Sequence, residues 1–381
     1  MKIKNPDLFI FAGEQSGDLH GEQLLRDLLE KNRELNIIGV GGPKMRNVAG
    51  FQCIFPMEKF HVMGFVDVFL ALPKLLYRFY WIKKQILKAA PKKVLFIDYP
   101  DFNLRLAKGL KKSGFQGKIV HYICPSVWAW RKNRVYLMEQ VLDLLFCILP
   151  FEKEYFASTA LPVKYVGHPL IKRLEEYAYT PLPFSKEKKW IGIFPGSRKK
   201  EILLNFPLQL QLIKTLLQEH PEFIFVVSIA HAKFLPLMEE LIQQAGLQGK
   251  LQFIDQNKNY DLMRGCHLAI AKSGTVTLEL ALHKVPTVVV YGIAPLDLFI
   301  ARTLLKIKLP FYALPNIIYG KELFPELFGP NLTHETLYRA AKQFILDENA
   351  RNECCEKCAQ LYNLLKQKDP DGDMATSLLI P

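Results

Sequence analysis

Short apolar runs, each followed by a turn and then by apolar residues at helical spacing, constrain this chain more than any other feature. The first series reads "LFIFAG", "NIIGVGG", "KVLFIDY", "KIVHYIC", "LLFCILP" and "VKYVG". A second series reads "WIGIFPG", "FIFVVSI", "LQFID", "HLAIAKSG" and "TVVVYG". Such alternation predicts parallel sheets with helices on both faces. Between the two series, "EEYAYTPLPFSKEKK" carries prolines and charge without periodicity and reads as a linker. The expected fold is therefore α/β, with two doubly wound domains facing a cleft: residues 1–174, a linker at 175–189, residues 190–345 and a helical tail at 346–381. That tail has two candidate seats, the first domain or a second copy of the chain.

Charge narrows the partners. With 50 Lys and Arg against 37 Asp and Glu, the chain carries +13, which favours an anionic partner. The basic residues are spread along the chain and match no nucleic-acid module, so nucleic acid is not expected. The start "MKIKNPDLFIFAG" has too short an apolar stretch for a signal peptide and reads as a cytoplasmic first strand. No window offers the ~20 apolar residues of a membrane span. The 7 cysteines form no framework, which suits a reducing compartment. Cys354, Cys355 and Cys358 lack a second Cys or His pair and are not read as a zinc site.

Two turns in the second series suit phosphate. "FPGSRKKEI" leaves a strand and enters a helix: Gly196 lets backbone approach an anion, Ser197 caps the helix, and Arg198 offers a fork for phosphate oxygens. In "AIAKSGTVTLELAL", Ser273, Gly274 and Thr275 open a helix carrying Glu279, whose carboxylate suits ribose hydroxyls. Ordinary strand-to-helix turns with surface side chains are the competing account of each. Occurring together at strand ends of one sheet, they favour a nucleotide site. Neither is a Walker loop, and no G-x-G-x-x-G follows a strand.

The segments "AGEQSGDLHG", "GVGGPKM", "VMGFVDV", "DYPDFNL", "YICPSVWAWR", "LPFEKEYF", "VGHPL", "PGSRKKE", "KSGTVTLEL" and "LPNIIYGKELFPEL" occur in order from residue 9 to about residue 328. In this combination the chain resembles the lipid A disaccharide synthase family, glycosyltransferases of the GT-B fold with two Rossmann-like domains. The resemblance implies transfer of 2,3-diacylglucosamine from UDP-2,3-diacylglucosamine to 2,3-diacylglucosamine 1-phosphate, giving a β-1,6-linked disaccharide and UDP. It implies that Gly196, Ser197, Arg198, Ser273, Gly274, Thr275, Glu279 and Asn316 surround the UDP donor. Asn316 otherwise reads as a turn residue after Pro315.

Inversion at the anomeric carbon calls for a general base and for groups that hold the departing UDP. Asp98 and Asp101, in "FIDYPDFNLRL", are the base candidates, and as residues alone they are unranked against each other and against capping roles. The resemblance selects Asp101 as base, with Asp98 as its organiser and Arg198 at the leaving group. It also assigns the opening loop "GEQSGDLHG" to the acceptor, through Glu14, Ser16, Gly17 and His20; the competing account is a tight turn with Glu14 and Asp18 exposed. Trp128, in a run with His121, Ser126, Trp130 and Arg131, joins the acceptor contacts, and His168 reads as structural. No metal motif lies at a strand end, Asp371 and Asp373 reading as solvated, so no metal or other cofactor is expected.

Residues 62–93 combine a nearly unbroken apolar stretch with a basic amphipathic helix starting at Pro73. Phe65, Val66, Val68, Phe69, Leu72, Leu75 and Leu76 are expected to face a membrane, aided by Ile202, Leu203 and Leu204. Lys74, Tyr77, Trp81, Lys84 and Lys88 fall on the opposite side of that helix. Half-inserted apolar side chains and nearby lysines together favour reversible docking on an anionic surface. The expected location is peripheral, on the inner face of the cytoplasmic membrane. A UDP-N-acetylglucosamine epimerase of the same fold and a noncatalytic nucleotide-sugar or membrane-binding module are the alternatives.

Overall fold

A computed structural model describes residues 5–60, 65–129, 131–184, 189–294, 298, 309–370 and 372–380, with backbone only for 65–72. The chain forms two compact units, Met1–Pro169 with Gln367–Pro381, and Leu170–Lys366.

Unit 1 is built on β1 (Leu8–Ala12), β2 (Ile37–Gly41), β3 (Phe51–Pro56), β4 (Lys93–Ile97), β5 (Lys118–Tyr122), β6 (Leu144–Cys147) and β7 (Val163–Tyr165). Their spatial order is β3-β2-β1-β4-β5-β6-β7, parallel throughout, with Phe9 opposite Ile38 on one side and Val94 on the other. The interleaved helices are α1 (Gln15–Lys31), α2 (Pro43–Arg46), α3 (Phe65–Ala89), α4 (Pro100–Lys112) and α5 (Arg134–Val141). Side chains alternate across a strand, so Phe9, Phe11, Val94 and Phe96 enter one core while Leu8, Ile10, Leu95 and Ile97 enter the other. Burial on both faces is why these strands read as unbroken apolar runs.

Unit 2 begins with α6 (Pro169–Glu176), of which Pro169 itself counts with unit 1. Its sheet contains β8 (Lys189–Phe194), β9 (Phe223–Ile229), β10 (Leu251–Asp255), β11 (Cys266–Lys272), β12 (Thr287–Tyr291) and β13 (Glu326–Phe328), ordered β10-β9-β8-β11-β12-β13 and parallel. Around it lie α7 (Lys199–Glu219), α8 (Leu235–Ala245), α9 (Asn259–Gly265), α10 (Thr275–Leu282), α11 (Leu314–Tyr319), α12 (His334–Leu346) and α13 (Glu348–Lys366). Strands β3 and β13 are absent from the sequence reading. Both are edge strands of mixed exposure, and neither shows an unbroken apolar run.

Residues 175–184 of the segment read as a linker are folded onto unit 2. Tyr177 and Thr180 donate to the buried Asp261 carboxylate at 3.0 and 2.9 Å, and the Thr180 amide adds a third bond at 2.6 Å. The tail divides: α13 packs on α10 and α11 within unit 2, and only Gln367–Pro381 returns to unit 1. There α14 (Met374–Leu379) lies on α1, and the buried Lys93 ammonium donates to the carbonyls of Leu378, at 2.7 Å, and Ile380. Asp373 caps α14 through the Thr376 amide at 2.9 Å and pairs with Lys31, while Asp371 lies outside the described residues.

Helix α3 starts well before Pro73, which sits inside it. Its core face is Leu75, Phe79, Ile82 and Ile86, and Trp81 stacks obliquely on Phe55, 5.1 Å between centroids, instead of joining the solvent face. Leu76, Tyr77 and Tyr80 are exposed. The side chains of Phe65, Val66, Val68, Phe69 and Leu72 lie outside the described residues. Among the described residues no helix is long and apolar enough to cross a membrane, and no cluster of His, Cys, Asp or Glu has the make-up of a metal site.

Candidate active site

In unit 2 the spatial order reverses between β8 and β11, and ligands of open α/β sheets collect at the carboxyl ends of such strands. Both phosphate-suited turns lie there. Gly196 has φ +124°, and a Cβ on it would stand 2.7 Å from the Glu201 Cβ, so only glycine fits. Helix α7 opens at Lys199 with Arg198 as its cap residue, and Ser197 makes no side-chain cap. Instead Glu201, one helical turn on, reaches back to the Ser197 amide at 2.9 Å and pairs with Lys272 at 3.0 Å, with Arg198 3.5 Å away. Burial raises the Glu201 carboxyl, but Lys272, the Ser197 amide and Arg198 outweigh it and hold the group below its ordinary value. The result is a braced turn that leaves the Arg198 side chain 82% exposed.

Across the switch point, Gly274 precedes α10, Thr275 is exposed, and the Ser273 hydroxyl donates to the Tyr312 carbonyl at 3.3 Å. Glu279 is half-buried. Burial raises its carboxyl, opposed by the Tyr260 hydroxyl at 3.2 Å and by Arg173. Asn316 sits differently from the expectation. It is fully buried, its Nδ2 donating to Phe324 O and Glu326 Oε1 and its Oδ1 accepting from the amides of Leu323 and Phe324. With every amide site used internally, Asn316 shapes the loop and has no group left for a ligand.

In unit 1 the order reverses between β1 and β4. The opening loop follows β1, Asp98 follows β4, and the Ser16 hydroxyl donates to Asp98 Oδ2 at 3.3 Å. Asp98 (φ 51°), Tyr99 (φ 50°), Ile123 (φ 74°) and Arg131 (φ 56°) all occupy the left-handed region. Such strain costs about 1 kcal/mol or more per residue and gathers at functional sites. Burial raises the Asp98 carboxyl, partly offset by the Tyr99 amide and Ser16. Asp101 is different. Its side chain is 60% exposed, and Oδ1 accepts from Arg131 at 3.0 Å and from Arg134.

The rest of the loop divides between site and scaffold. Glu14 and Ser16 are exposed. A Cβ on Gly13 would meet the Tyr99 ring at 2.8 Å, so this glycine lets the ring lie over the turn. Asp18, whose competing account was exposure, is buried and accepts from the amides of Gly42, Lys44 and Met45 at 2.8–3.1 Å, tying "GEQSGDLHG" to "GVGGPKM". The His20 ring meets Tyr122 edge-on at 6.0 Å. His168 is pushed down to about 3, by burial first and then by His20.

Trp128 is half-buried, its ring edge-on to Phe151 at 5.7 Å and its indole N–H near Glu152 without reaching hydrogen-bond geometry. Glu152 is 2% exposed and accepts from the amides of Ile148 and Leu149 at 3.2 and 3.0 Å. Burial pushes its carboxyl up to about 8 despite those donors. Below its ordinary value of 4.5 both folded and unfolded states are protonated. As pH rises toward 8 the unfolded chain ionises first, and stability falls. Glu152→Gln is therefore expected to stabilise the protein by on the order of 3 kcal/mol at about pH 9 and by nothing near pH 4, read by chemical denaturation.

Sequence reasoning quoted Glu201, Lys272 and Tyr99 without assigning them roles, and did not reach Arg134. Only the i, i+4 spacing of Ser197 and Glu201 hinted at the brace.

Two parallel sheets of these strand orders, each with candidate groups at its switch point, define a GT-B fold. Solved structures agree on the fold. UDP-GlcNAc 2-epimerase from Neisseria meningitidis bound to UDP-GlcNAc superposes with a TM-score of 0.59 at 14% identity, covering 94% of this chain and 97% of that one. A trehalose-6-phosphate structure from E. coli bound with UDP-2-fluoro glucose gives 0.57 at 11%, covering 94% and 95%. The lipid-A-disaccharide synthetase family model matches residues 8–376, and the chain belongs to that family. It is 40% identical over 380 residues to a lipid-A-disaccharide synthase of Chlamydia trachomatis, covering 97% of this chain but spanning only 62% of the relative's length. To the Azotobacter vinelandii lipid-A-disaccharide synthase it is 36% identical over 351 residues, 91% of each chain.

Proposed function

We propose that this chain transfers 2,3-diacylglucosamine from UDP-2,3-diacylglucosamine to 2,3-diacylglucosamine 1-phosphate, forming the β-1,6-linked disaccharide 1-phosphate and UDP with inversion. The observation that carries the reading is the pairing, in one chain of this family, of a braced phosphate-suited turn at one switch point with a half-buried carboxyl at the other. Unit 2 holds the donor: Arg198, Gly196 and the turn of Ser273, Gly274 and Thr275 take the diphosphate, and Glu279 takes the ribose. Unit 1 supplies the base and the acceptor contacts Glu14, Ser16, Gly17 and His20, with Trp128 on the same unit.

Asp98, in place of Asp101, is the base in this reading. Its carboxyl is withdrawn from water and has a single side-chain donor, whereas Asp101 is exposed and already engaged by two guanidinium groups. Asp98 takes the proton of the acceptor's 6-hydroxyl as that oxygen bonds to the donor's anomeric carbon. The bond to the diphosphate breaks with its electron pair leaving on UDP, beside Arg198.

Exposed Leu76, Tyr77 and Tyr80 on α3, with lysines along the same helix, support peripheral docking on an anionic membrane surface, where a diacyl substrate resides. Incubating the protein with UDP-2,3-diacylglucosamine tests the activity. UDP release only when the acylated acceptor is present supports transfer. Release or isomerisation without it supports an epimerase, and no turnover supports a binding module.

A further inference from the structure

We propose that Arg131 and Arg134 form the seat of the acceptor's phosphate monoester, held in position by Asp101 until the phosphate arrives. The inference rests on the transfer reading above and assigns residues that reading leaves without a role.

Two guanidinium groups converge on one carboxylate oxygen, Arg131 at 3.0 Å and Arg134 beside it. Together the three side chains carry one net positive charge. Arg134 is anchored at the first residue of α5 with its side chain 13% exposed, whereas Arg131 is 51% exposed, so the triplet is fixed on one side and open on the other. Guanidinium forks match phosphate oxygens, and a monoester near its second ionisation carries more charge than a carboxylate, so it outcompetes Asp101 for the pair.

Backbone geometry adds an independent observation. Arg131 adopts φ 56°, a conformation that non-glycine residues hold at a cost, while an exposed ion pair contributes little to stability. A role confined to stability leaves that strain unexplained; positioning a guanidinium for a ligand accounts for it.

Spacing agrees with the chemistry. Asp101 lies in the first turn of α4, three residues after Asp98. On a pyranose the 6-hydroxyl and the anomeric phosphate stand on different sides of the ring, so different groups must meet them. With Asp98 on the hydroxyl, a cationic triplet held at the start of the helix that follows suits the phosphate. Tyr99, between them in sequence, has its hydroxyl raised by burial and then by the charges of Glu14 and Asp101.

The test is initial-rate kinetics of the full chain with two acceptors, the 1-phosphate and its dephosphorylated form, varying donor and acceptor separately. Arg131→Gln and Arg134→Gln are expected to raise KM for the phosphorylated acceptor at least tenfold, leave donor KM unchanged, and abolish the preference for the phosphorylated form. Arg131→Lys should recover part of that preference, and Asp101→Asn, which removes the group that positions both arginines, should shift KM for the phosphorylated acceptor more than kcat. Arg131→Gln, at an exposed side chain, decides the matter if Arg134→Gln unfolds. Equal losses with both acceptors would reduce the arginines to packing, and a shift in donor KM instead would assign them to the diphosphate. A hundredfold fall in kcat for Asp101→Asn would make Asp101 the base. Any of these overturns the assignment alone; native protein without acceptor-dependent UDP release overturns the transfer reading and the assignment with it.

Discussion

Asp98→Asn is expected to lower kcat by about 10²- to 10⁴-fold while leaving UDP affinity unchanged, because general-base catalysis contributes on that scale. Asparagine keeps the size of the side chain and one acceptor oxygen for Ser16 or the Tyr99 amide, so the fold has little reason to change. A carboxylate acts as a base only when ionised, so on the proposed reading kcat should fall on the acid side. Burial sets the midpoint of that fall above the ordinary value of 3.8. A pH–rate profile of the native chain, with UDP titrations of both proteins, checks both statements. Loss of UDP binding in step with activity would return Asp98 to a structural role.

Arg198→Ala is expected to cost about 10²- to 10³-fold in kcat/KM, the scale of removing one group that stabilises a departing oxyanion. The side chain is 82% exposed and its pairing with Glu201 is loose, at 3.5 Å, so its removal leaves the Glu201–Lys272 brace and the melting temperature in place. Lysine at this position should recover only part of the loss, since it keeps the charge and not the fork. An unaltered kcat/KM in Arg198→Ala would remove the guanidinium from the leaving-group role.

Much of the fold was legible because periodicity reports burial. Strands such as Leu8–Ala12 and Lys93–Ile97 are covered on both faces, and an unbroken apolar run is the direct record of that environment. The edge strands left weaker records, since a half-exposed strand of three to six residues has no distinctive pattern. Likewise "EEYAYTPLPFSKEKK" looked like a linker because what holds it is one buried carboxylate, Asp261, some 80 residues further along the chain. Helix α3 passed through Pro73 because losing one donor bond does not stop a helix whose buried face lies on the core.

By itself the sequence determined the α/β class, the two series of strands, and the two turns after β8 and β11, since these follow from local pattern and from glycine, serine and arginine at strand ends. Only the tertiary structure told Asp98, withdrawn from water, apart from Asp101, paired with two arginines, committed Asn316 to its own loop and buried Asp18 under the second turn. The physical reason is the same in all three. A carboxylate or amide in sequence shows which hydrogen bonds it can make, but water, a guanidinium or a distant backbone amide takes them up only once the chain has folded, and that partner sets both the proton affinity and the freedom to meet a ligand.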